Sequence, residues 1–346
     1  MQLVYRKFDL PLRHPFRISR SVVSVQETLV VELSHSGQFG YGEATASTYY
    51  GATIANMSAA IEAVRPFLER AVPDDPAAVV AELARHLLPR SSFALAALDA
   101  AVHDLWGKLN GKPLYRLWRL AAENLPQSSF TLGIDTPERM VAKLREEPGW
   151  PTYKVKLGTA EDLGIVRELR RHAEVPLRVD ANCGWTAEKA IRLAPQLRDL
   201  GVELIEQPLP ADDRTGARRL FEQSPLPIIA DESCVGEADI EPCVGLFHGI
   251  NIKLVKCGGL ASARRMIDRA RALGLRVMLG CMTESTVGIS AMAQLLPLAE
   301  YADLDGAALL ARDIASGVRI VQGKCVYSTH GGTGVELLGG PLVERA

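Results

Sequence analysis

Five short apolar runs, each followed by charged residues, recur between positions 153 and 256 of the chain. They read YKVKLG (153–158), LRVDANCGW (177–185), LIEQPL (204–209), IIADES (228–233) and INIKLVK (250–256). Each run is rich in Val, Ile and Leu and precedes a segment with helical spacing, which predicts a strand followed by a helix. One charged residue per run recurs at intervals of 22 to 26 residues: Lys156, Asp180, Glu206, Asp231 and Lys253. If these units close into a barrel, the five side chains meet at one mouth.

The same rhythm extends on both sides of these five units. SSFTLGI (128–134) predicts a strand before them, LRVMLGCM (275–282) predicts a seventh strand, and ADLDG (302–306) lies where an eighth strand ends. Segments with helical spacing fill the gaps. Eight strands that alternate with helices favour a parallel α/β barrel.

The N-terminal part has a different pattern. Residues 1–45 predict a three-stranded meander, in which HPFRISRSVV (14–23) forms a polar loop between the first two strands. Helical spacing and start signals predict helices over 54–71, 76–88 and 91–109. Residues 320–346 lose the strand–helix rhythm, and their glycines and short apolar runs suggest a return to the N-terminal region.

Length and composition limit the classes of function. A chain of 346 residues suits one large barrel with a smaller domain. The net charge of −2 gives no electrostatic reason to expect nucleic acid or an anionic membrane as a partner. No segment reads as a signal peptide or as a membrane span. Because the six cysteines are scattered and form no CxxC pattern, we expect reduced thiols and a cytoplasmic protein.

The three acidic residues of the repeat, Asp180, Glu206 and Asp231, predict a metal site. Three carboxylates in one apolar-walled cavity repel each other unless a cation compensates them. Oxygen ligands without a histidine or cysteine companion suit Mg²⁺. A single acid of this kind would more simply cap a helix or form an ion pair, but three in successive units favour a metal. Asn182 and Glu232 stand beside the triplet, where we expect them to support its ligands or to cap helices.

The lysines of the repeat suit proton transfer. Lys154 and Lys156 lie two apart on a predicted strand and project to the same side, so each disfavours protonation of the other. Lys253 would approach the cavity from the opposite side, whereas Lys256 should already lie in the loop. Two lysines that flank a metal suit removal of a proton from carbon next to a carboxylate, with Mg²⁺ stabilising the enediolate. The proton can then return to the opposite face.

Taken together, KVK, DAN, EQPL, ADES and NIKLVKCGG resemble the enolase superfamily in its muconate lactonizing enzyme subgroup, and FALAALDAAVHDLWGKLNGKPLYRLW (93–118) resembles its linker into the barrel. The resemblance implies a modified (β/α)₇β barrel with an α+β N-terminal capping domain that the C-terminal segment completes. We accordingly expect domain boundaries at 1–115, 116–320 and 321–346. It also implies one Mg²⁺ per active site on Asp180, Glu206 and Asp231, with Lys156 and Lys253 as the acid/base pair.

Other residues bear on the substrate. Asp303 and Asp305 lie two apart at the end of the predicted eighth strand, where a helix cap or a cationic substrate group would explain them. This DxD resembles the feature by which dipeptide epimerases hold the substrate ammonium group. FRISR (16–20) and GEATASTYYG (42–51) resemble the capping loops of L-Ala-D/L-Glu epimerases, in which an arginine pairs with the glutamate side chain. Arg20 is the nearest match and Arg17 the alternative.

Two further residues complete the predicted substrate site. Glu284, in GCMTES (280–285), is expected to line the pocket, where it would counter Arg20 or favour a basic or polar side chain. We also expect Lys154 to contact the substrate. The site therefore leaves acidic, hydrophobic and basic side chains open.

We hypothesise a Mg²⁺-dependent dipeptide epimerase that inverts the α-carbon of the C-terminal residue, with a small-molecule partner and a homo-oligomeric state. Within the superfamily the alternatives are an N-acylamino acid racemase, an o-succinylbenzoate synthase or a cycloisomerase. Only the DxD and the capping loops argue against these three alternatives. An acid-sugar dehydratase would need a His–Asp pair that the strand ends lack. A Schiff-base aldolase would leave the acids without a role, and an inactive ligand binder would leave the lysines without one.

Overall fold

A computed structural model describes residues 1–88 and 90–342 of the chain. Its first element is an antiparallel sheet of β1 (Gln2–Ile18), β2 (Ser21–His35) and β3 (Gln38–Thr45), in that order. The predicted meander is therefore confirmed, but the prediction of a polar loop over 14–23 is wrong. Both strands continue through it in register, with Phe16 opposite Val23, after an irregularity between Pro11 and Phe16. Most side chains of this hairpin tip are exposed, so the segment lacks the apolar alternation by which a half-buried strand is recognised.

Three helices follow this sheet: α1 (Ile54–Arg70), α2 (Pro76–Leu87) and α3 (Ser92–Leu109). Helices α1 and α3 pack against the sheet, and α2 packs against α3. The residue before each helix caps it, since the side chains of Thr53, Asp75 and Ser91 accept hydrogen bonds from backbone N–H groups of the first turn. Helix α3 is buried on almost every side and approaches β3 closely. A Cβ atom at Gly42 would lie 1.9 Å from the carbonyl oxygen of Ala97. Small residues thus allow the helix to contact the sheet backbone.

Eight parallel strands form the barrel that the repeat predicts. They run in sequence order as β4 (Phe130–Leu132), β5 (Tyr153–Lys156), β6 (Leu177–Asp180), β7 (Val202–Glu206), β8 (Ile228–Ala230), β9 (Gly249–Ile252), β10 (Arg276–Gly280) and β11 (Tyr301–Asp303). A parallel bridge between Ser128 and Ala302 brings the first and last strands together. The barrel is therefore nearly closed, with the ends of successive strands at one mouth.

Helices connect the barrel strands. After α4 (Leu114–Leu117), the connections are α5 (Pro137–Glu146), α6 (Asp162–Arg170), α7 (Ala187–Asp199), α8 (Arg214–Gln223), α9 (Ile240–Cys243), α10 (Leu254–Cys257), α11 (Leu260–Ala272) and α12 (Thr286–Ala293), with 3₁₀ turns at Glu237–Asp239, Leu296–Leu298 and Gly306–Leu309. Their buried faces and the strands share one large apolar core, and a second core lies between the N-terminal sheet and α1–α3. Nowhere in the described ranges is a helix both long and apolar enough to cross a membrane.

The C-terminal segment returns to the N-terminal sheet. Its short strands are β12 (Ala315–Ser316), β13 (Arg319–Val321), β14 (Lys324–Val326) and β15 (Glu336–Leu337), which pair as β12 with β15 and β13 with β14. Val335, Leu337 and Leu342 pack with Val30 and Tyr41 of the sheet. The backbone N–H of Leu342 donates to Glu32 at 2.6 Å. The expected domain boundaries at 115 and 320 stay predictions.

Asp104 joins three parts of the chain, so its removal should destabilise the fold. Its fully buried carboxylate accepts hydrogen bonds from the N–H groups of Tyr41 (2.9 Å) and Thr333 (2.7 Å) and lies 3.1 Å from Lys108 Nζ. We expect Asp104→Ala to lower the free energy of unfolding by about 3 kcal/mol, because these donors and the lysine lose their partner. Denaturant unfolding measures the loss. The control, Glu123→Ala, changes an exposed residue and should have almost no effect, so equal losses would contradict this account.

Candidate active site

The three acidic residues of the repeat converge at the barrel mouth. Asp180 and Glu206 are the last residues of β6 and β7 and stand opposite each other in register, and Asp231 directly follows β8. All three are buried, and one carboxylate oxygen from each lies within 4.8 Å of the others. The strand-end pattern of the sequence thus corresponds to a compact cluster of three carboxylates.

The cluster fits a hard divalent cation. Its donors are carboxylate oxygens alone, which is the ligand type that Mg²⁺ prefers. Glu206 Oε2 lies 2.7 Å from Lys154 Nζ, but at an angle that makes no hydrogen bond, and the described residues supply it with no other donor. Burial and the neighbouring Asp180 raise the pKa of Glu206 to about 7. A cation bound here would offset that repulsion.

Lys156 and Lys253 each contact a different carboxylate of the cluster. Lys156 Nζ donates to Asp180 Oδ2 at 2.6 Å, and Lys253 Nζ donates to Asp231 Oδ2 at 2.7 Å. Burial favours the neutral form of Lys253, but Asp231 outweighs it and raises the pKa of this lysine. Both lysines line the same cavity, one after β9 and the other on β5, four strands away. They therefore reach the cluster from opposite sides of the barrel.

Lys154 lies deeper than either of these lysines, with only 1% of its side chain exposed. Its Nζ is 2.6 Å from Asp303 Oδ2 and 3.2 Å from Asp180 Oδ2, in addition to its contact with Glu206. Burial opposes protonation, yet the neighbouring acids raise the pKa of Lys154 well above its ordinary value. Lys154 therefore carries a charge that three carboxylates share.

Two residues that the sequence analysis did not assign to the site also support the carboxylates. Lys256, expected in a loop, lies in α10 and donates through Nζ to Asp231 Oδ1 (2.6 Å) and to the carbonyl oxygen of Asn251 (3.0 Å). The Asn251 amide donates to Glu206 Oε1 at 2.8 Å. Asn251 lies two residues before Lys253 in the INIK run, a spacing that directs both side chains to the same face. This spacing is the only sign in the sequence that Asn251 belongs to the site.

Asn182 and Glu232 lie beside the carboxylates. The Asn182 N–H donates to Asp180 Oδ1 at 2.9 Å, and its side-chain amide donates to Glu232 Oε1 at 3.3 Å. Asn182 adopts a positive φ of 44°, a conformation that asparagine tolerates better than most residues. Burial and then Asp231 raise the pKa of Glu232. Arg20 opposes this effect at 2.7 Å, and because arginine stays charged, the contact favours an ionised Glu232.

Asp303 and Asp305 both line the cavity, but they have different partners. Asp303 binds Lys154 and accepts a hydrogen bond from Ser129 Oγ at 2.9 Å. Burial opposes its ionisation, but Lys154 overcomes this and lowers the pKa of Asp303 to about 2. Asp305 Oδ2 accepts from the Thr131 N–H at 2.6 Å, while burial and Asp303 raise the pKa of Asp305 to about 7. Asp303 is thus occupied by a cation, and Asp305 is without one among the described residues.

Arg17, Arg20 and Glu284 are predicted to contact the substrate, and the structure brings only one of them to the cavity. Arg20 lies in the cavity wall, at the turn between β1 and β2. Within the described ranges, the wall includes neither Arg17, which is exposed, nor Glu284. The Glu284 carboxyl group lies against Gly288, and burial and the neighbouring Glu43 raise its pKa well above the ordinary value. The acid that faces Arg20 is Glu232, not Glu284.

The cavity itself measures about 590 Å³ and opens between the barrel mouth and the N-terminal sheet. Carboxylates and lysines form its floor, and Ile18, Tyr49, Tyr50 and Leu309 contribute apolar surface. A dipeptide-sized molecule fits a site of this volume.

Comparison with known proteins places the chain among enolase-like proteins. Residues 138–339 match the model of the enolase C-terminal domain-like family, and residues 2–118 match the N-terminal domain of mandelate racemase / muconate lactonizing enzyme. The chain is 51% identical over 338 residues to an L-Ala-D/L-amino acid epimerase of a Maribacter species, covering 97% of this chain and 99% of that protein.

Solved structures agree with this relationship. A substrate-liganded complex of the L-Ala-D/L-Glu epimerase from Bacillus subtilis superimposes with a TM-score of 0.92 at 28% identity, covering 99% of each chain. A dipeptide epimerase from Methylococcus capsulatus, in complex with Mg and the dipeptide L-Arg-D-Lys, gives a TM-score of 0.89 at 33% identity, covering 96% of this chain and 98% of that chain.

Proposed function

The chain belongs to the mandelate racemase / muconate lactonizing enzyme family of the enolase superfamily, and from that premise we propose that it is a Mg²⁺-dependent dipeptide epimerase. One observation carries the proposal. The three carboxylates Asp180, Glu206 and Asp231 lie between two lysines at the ends of opposite strands, and the acidic pair at the end of β11 faces the same cavity. The names of the relatives support the same reaction.

Each part of a dipeptide has a counterpart in this cavity. Asp180, Glu206 and Asp231 would hold the cation beside the C-terminal carboxylate of the substrate. When bound, Mg²⁺ supplies positive charge that stabilises the negative charge developing on that carboxylate. Asp305, whose carboxylate has no cationic partner among the described residues, would hold the α-ammonium group at the other end.

The lysines would move the proton. For inversion, one amine must be neutral and take the α-proton, while the other is protonated and delivers a proton to the opposite face. Lys156 and Lys253 suit the two roles because they approach the cluster from β5 and β9, on opposite sides of the barrel. Reversing their protonation states reverses the reaction, so the same site epimerises in both directions.

The acidic pair yields a prediction about substrate choice and pH. In the wild type, KM for a dipeptide should fall as pH rises from 6 to 8, because Asp305 loses its proton near a pKa of about 7 and then attracts the ammonium group. Asp305→Asn should raise that KM by about tenfold or more and remove this step in the pH profile. Steady-state kinetics at several pH values measures both effects.

The control for Asp305→Asn is an N-acetyl amino acid, which has no ammonium group and should therefore be an equally poor substrate for both proteins. Asp303→Asn is a less selective test, because it would also release Lys154 from the carboxylates it joins. A wild-type enzyme that prefers N-acetyl substrates would contradict the assignment of the acidic pair.

The function itself is tested by NMR observation of α-proton exchange in D₂O with Mg²⁺, with dipeptides and N-acetyl amino acids in parallel. We expect exchange confined to dipeptides and abolished by EDTA. Exchange with N-acetyl substrates alone would indicate a racemase, and no exchange in either set would reject the proposed reaction.

We propose also that the enzyme is cytoplasmic and homo-oligomeric. All six cysteines are free in this structure, which suits a reducing compartment. Light scattering of the purified protein measures the oligomeric state, and a monomer would contradict this proposal.

A further inference from the structure

Gln207 directly follows Glu206 in the EQPL run and is buried, with 1% of the residue exposed. Its side-chain oxygen, Oε1, accepts hydrogen bonds from the N–H groups of Asp231 (2.9 Å) and Ser233 (3.1 Å). Its side-chain nitrogen, Nε2, donates to the carbonyl oxygen of Leu209 (2.9 Å) and to Ser233 Oγ (2.8 Å). The amide thus makes all four hydrogen bonds that its chemistry allows, and they join the loop after β7 to the loop after β8.

The backbone of Gln207 adds a connection to the loop after β6. Its N–H donates to the carbonyl oxygen of Ile229 on β8 at 2.9 Å, and its carbonyl oxygen accepts from the N–H of Cys183 at 2.8 Å. Cys183 follows Asp180, the last residue of β6, by three positions. Gln207 therefore links the ends of all three strands whose ends carry the clustered carboxylates.

This arrangement requires an uncommon backbone conformation. Gln207 has a positive φ of 32° and Cys183 one of 66°, and residues with a side chain rarely adopt such values. Gln207 also precedes Pro208, and a residue before proline favours extended backbone. A conformation of this kind persists only where its surroundings stabilise it. The four hydrogen bonds of the Gln207 amide do so, and they thereby maintain the turn that directly follows Glu206.

We propose that Gln207 is a positioning residue for the metal site, which holds Asp180, Glu206 and Asp231 in a fixed arrangement and so makes the site prefer Mg²⁺ to larger divalent cations. The inference rests on the Mg²⁺ site of the proposed function. Mg²⁺ demands nearly ideal octahedral geometry with ligands at about 2.0–2.1 Å, whereas Ca²⁺ accepts irregular geometry at about 2.3–2.6 Å. Carboxylates that can shift relative to one another therefore lose affinity for Mg²⁺ and keep most of their affinity for Ca²⁺.

The test measures Kd for Mg²⁺ and for Ca²⁺ by isothermal titration calorimetry without substrate. Gln207→Met keeps a side chain of similar size and removes the four hydrogen bonds of the amide. In this variant Kd for Mg²⁺ should rise by about 10- to 100-fold, whereas Kd for Ca²⁺ should rise by no more than about threefold. The stoichiometry of binding reports the fraction of folded protein, so a general loss of stability does not change the ratio of the two Kd values.

Gln294→Met is the matched control. Gln294 is also 1% exposed, and its side chain accepts from the Tyr115 N–H at 3.3 Å and donates to the carbonyl oxygen of Thr333 at 3.2 Å. It is absent from the residues that line the cavity. Loss of this second buried glutamine should lower Tm, but it should leave both Kd values unchanged.

A ratio of the two Kd values that is the same in Gln207→Met as in the wild type would overturn the inference. If Gln207→Met does not fold, Gln207→Asn decides, because asparagine tolerates the positive φ but its amide is one methylene too short. Its Kd ratio should shift in the same direction, and an unchanged ratio would overturn the inference. A wild type that binds no Mg²⁺ would instead reject the metal site of the proposed function, and the inference with it.

Discussion

Lys156→Ala and Lys253→Ala should each lower the rate of epimerisation by about 10³-fold or more, since each removes one of the two groups that exchange protons with the α-carbon. The structure predicts more than a loss of rate. Because the two lysines stand at the ends of β5 and β9, each should serve one face of the substrate. Each variant should therefore retain α-proton exchange with one stereoisomer of the dipeptide and lose it with the other. The two variants should retain opposite stereoisomers.

NMR in D₂O with the separate L,L and L,D dipeptides measures exchange and inversion in the same sample. Lys143→Ala is the matched control, because Lys143 binds Asp135 at 3.0 Å and is absent from the residues that line the cavity. Circular dichroism should show an unchanged fold in all three variants. Near-normal turnover in both active-site variants, or exchange of the same stereoisomer in both, would contradict a two-lysine mechanism.

The barrel and its carboxylates could be predicted because the relevant information is local. In a parallel barrel every strand ends at the same mouth, so the position of Asp180, Glu206 or Asp231 within its own short run predicts where its side chain lies. Lys156, Lys253 and the acidic pair are predictable in the same way, because each also stands at the end of its run. The helices of the N-terminal domain are equally accessible to prediction, since Thr53, Asp75 and Ser91 each stand directly before the first residue of a helix.

The contacts that could not be predicted join residues far apart in the chain. Arg20 and Glu232 are 212 positions apart and meet only because the first hairpin extends over the barrel mouth. The sequence predicts a loop at the tip of that hairpin, since most of the tip is exposed and its pattern carries no sign of burial. The sequence gives no sign that Lys256 reaches the site, because the turn of helix α10, which directs its amine back to Asp231, follows the strand without any cap motif.

Asp231→Asn should abolish both Mg²⁺ binding and activity, and it should also destabilise the metal-free protein. Asp231 is the one carboxylate of the cluster that two lysines contact through different oxygens, Lys253 at Oδ2 and Lys256 at Oδ1. Burial favours its protonated form, but these two lysines hold the pKa of Asp231 well below its ordinary value. The neutral amide of asparagine would leave both buried ammonium groups without an anion, at a cost of about 3–5 kcal/mol.

Thermal unfolding with and without MgCl₂ separates the two effects of Asp231→Asn. In the wild type, Mg²⁺ at about 100 times its Kd should add about 2.7 kcal/mol to the free energy of unfolding, whereas the variant should start from a lower Tm and gain nothing. Asp213→Asn is the matched control, because Asp213 caps α8 through a hydrogen bond from the Gly216 N–H at 2.8 Å. Its Tm should change little, and its Mg²⁺ response should persist. If Asp231→Asn lost stability yet kept that response, Asp231 would be only a partner for Lys253 and Lys256, and the cation would have to bind elsewhere.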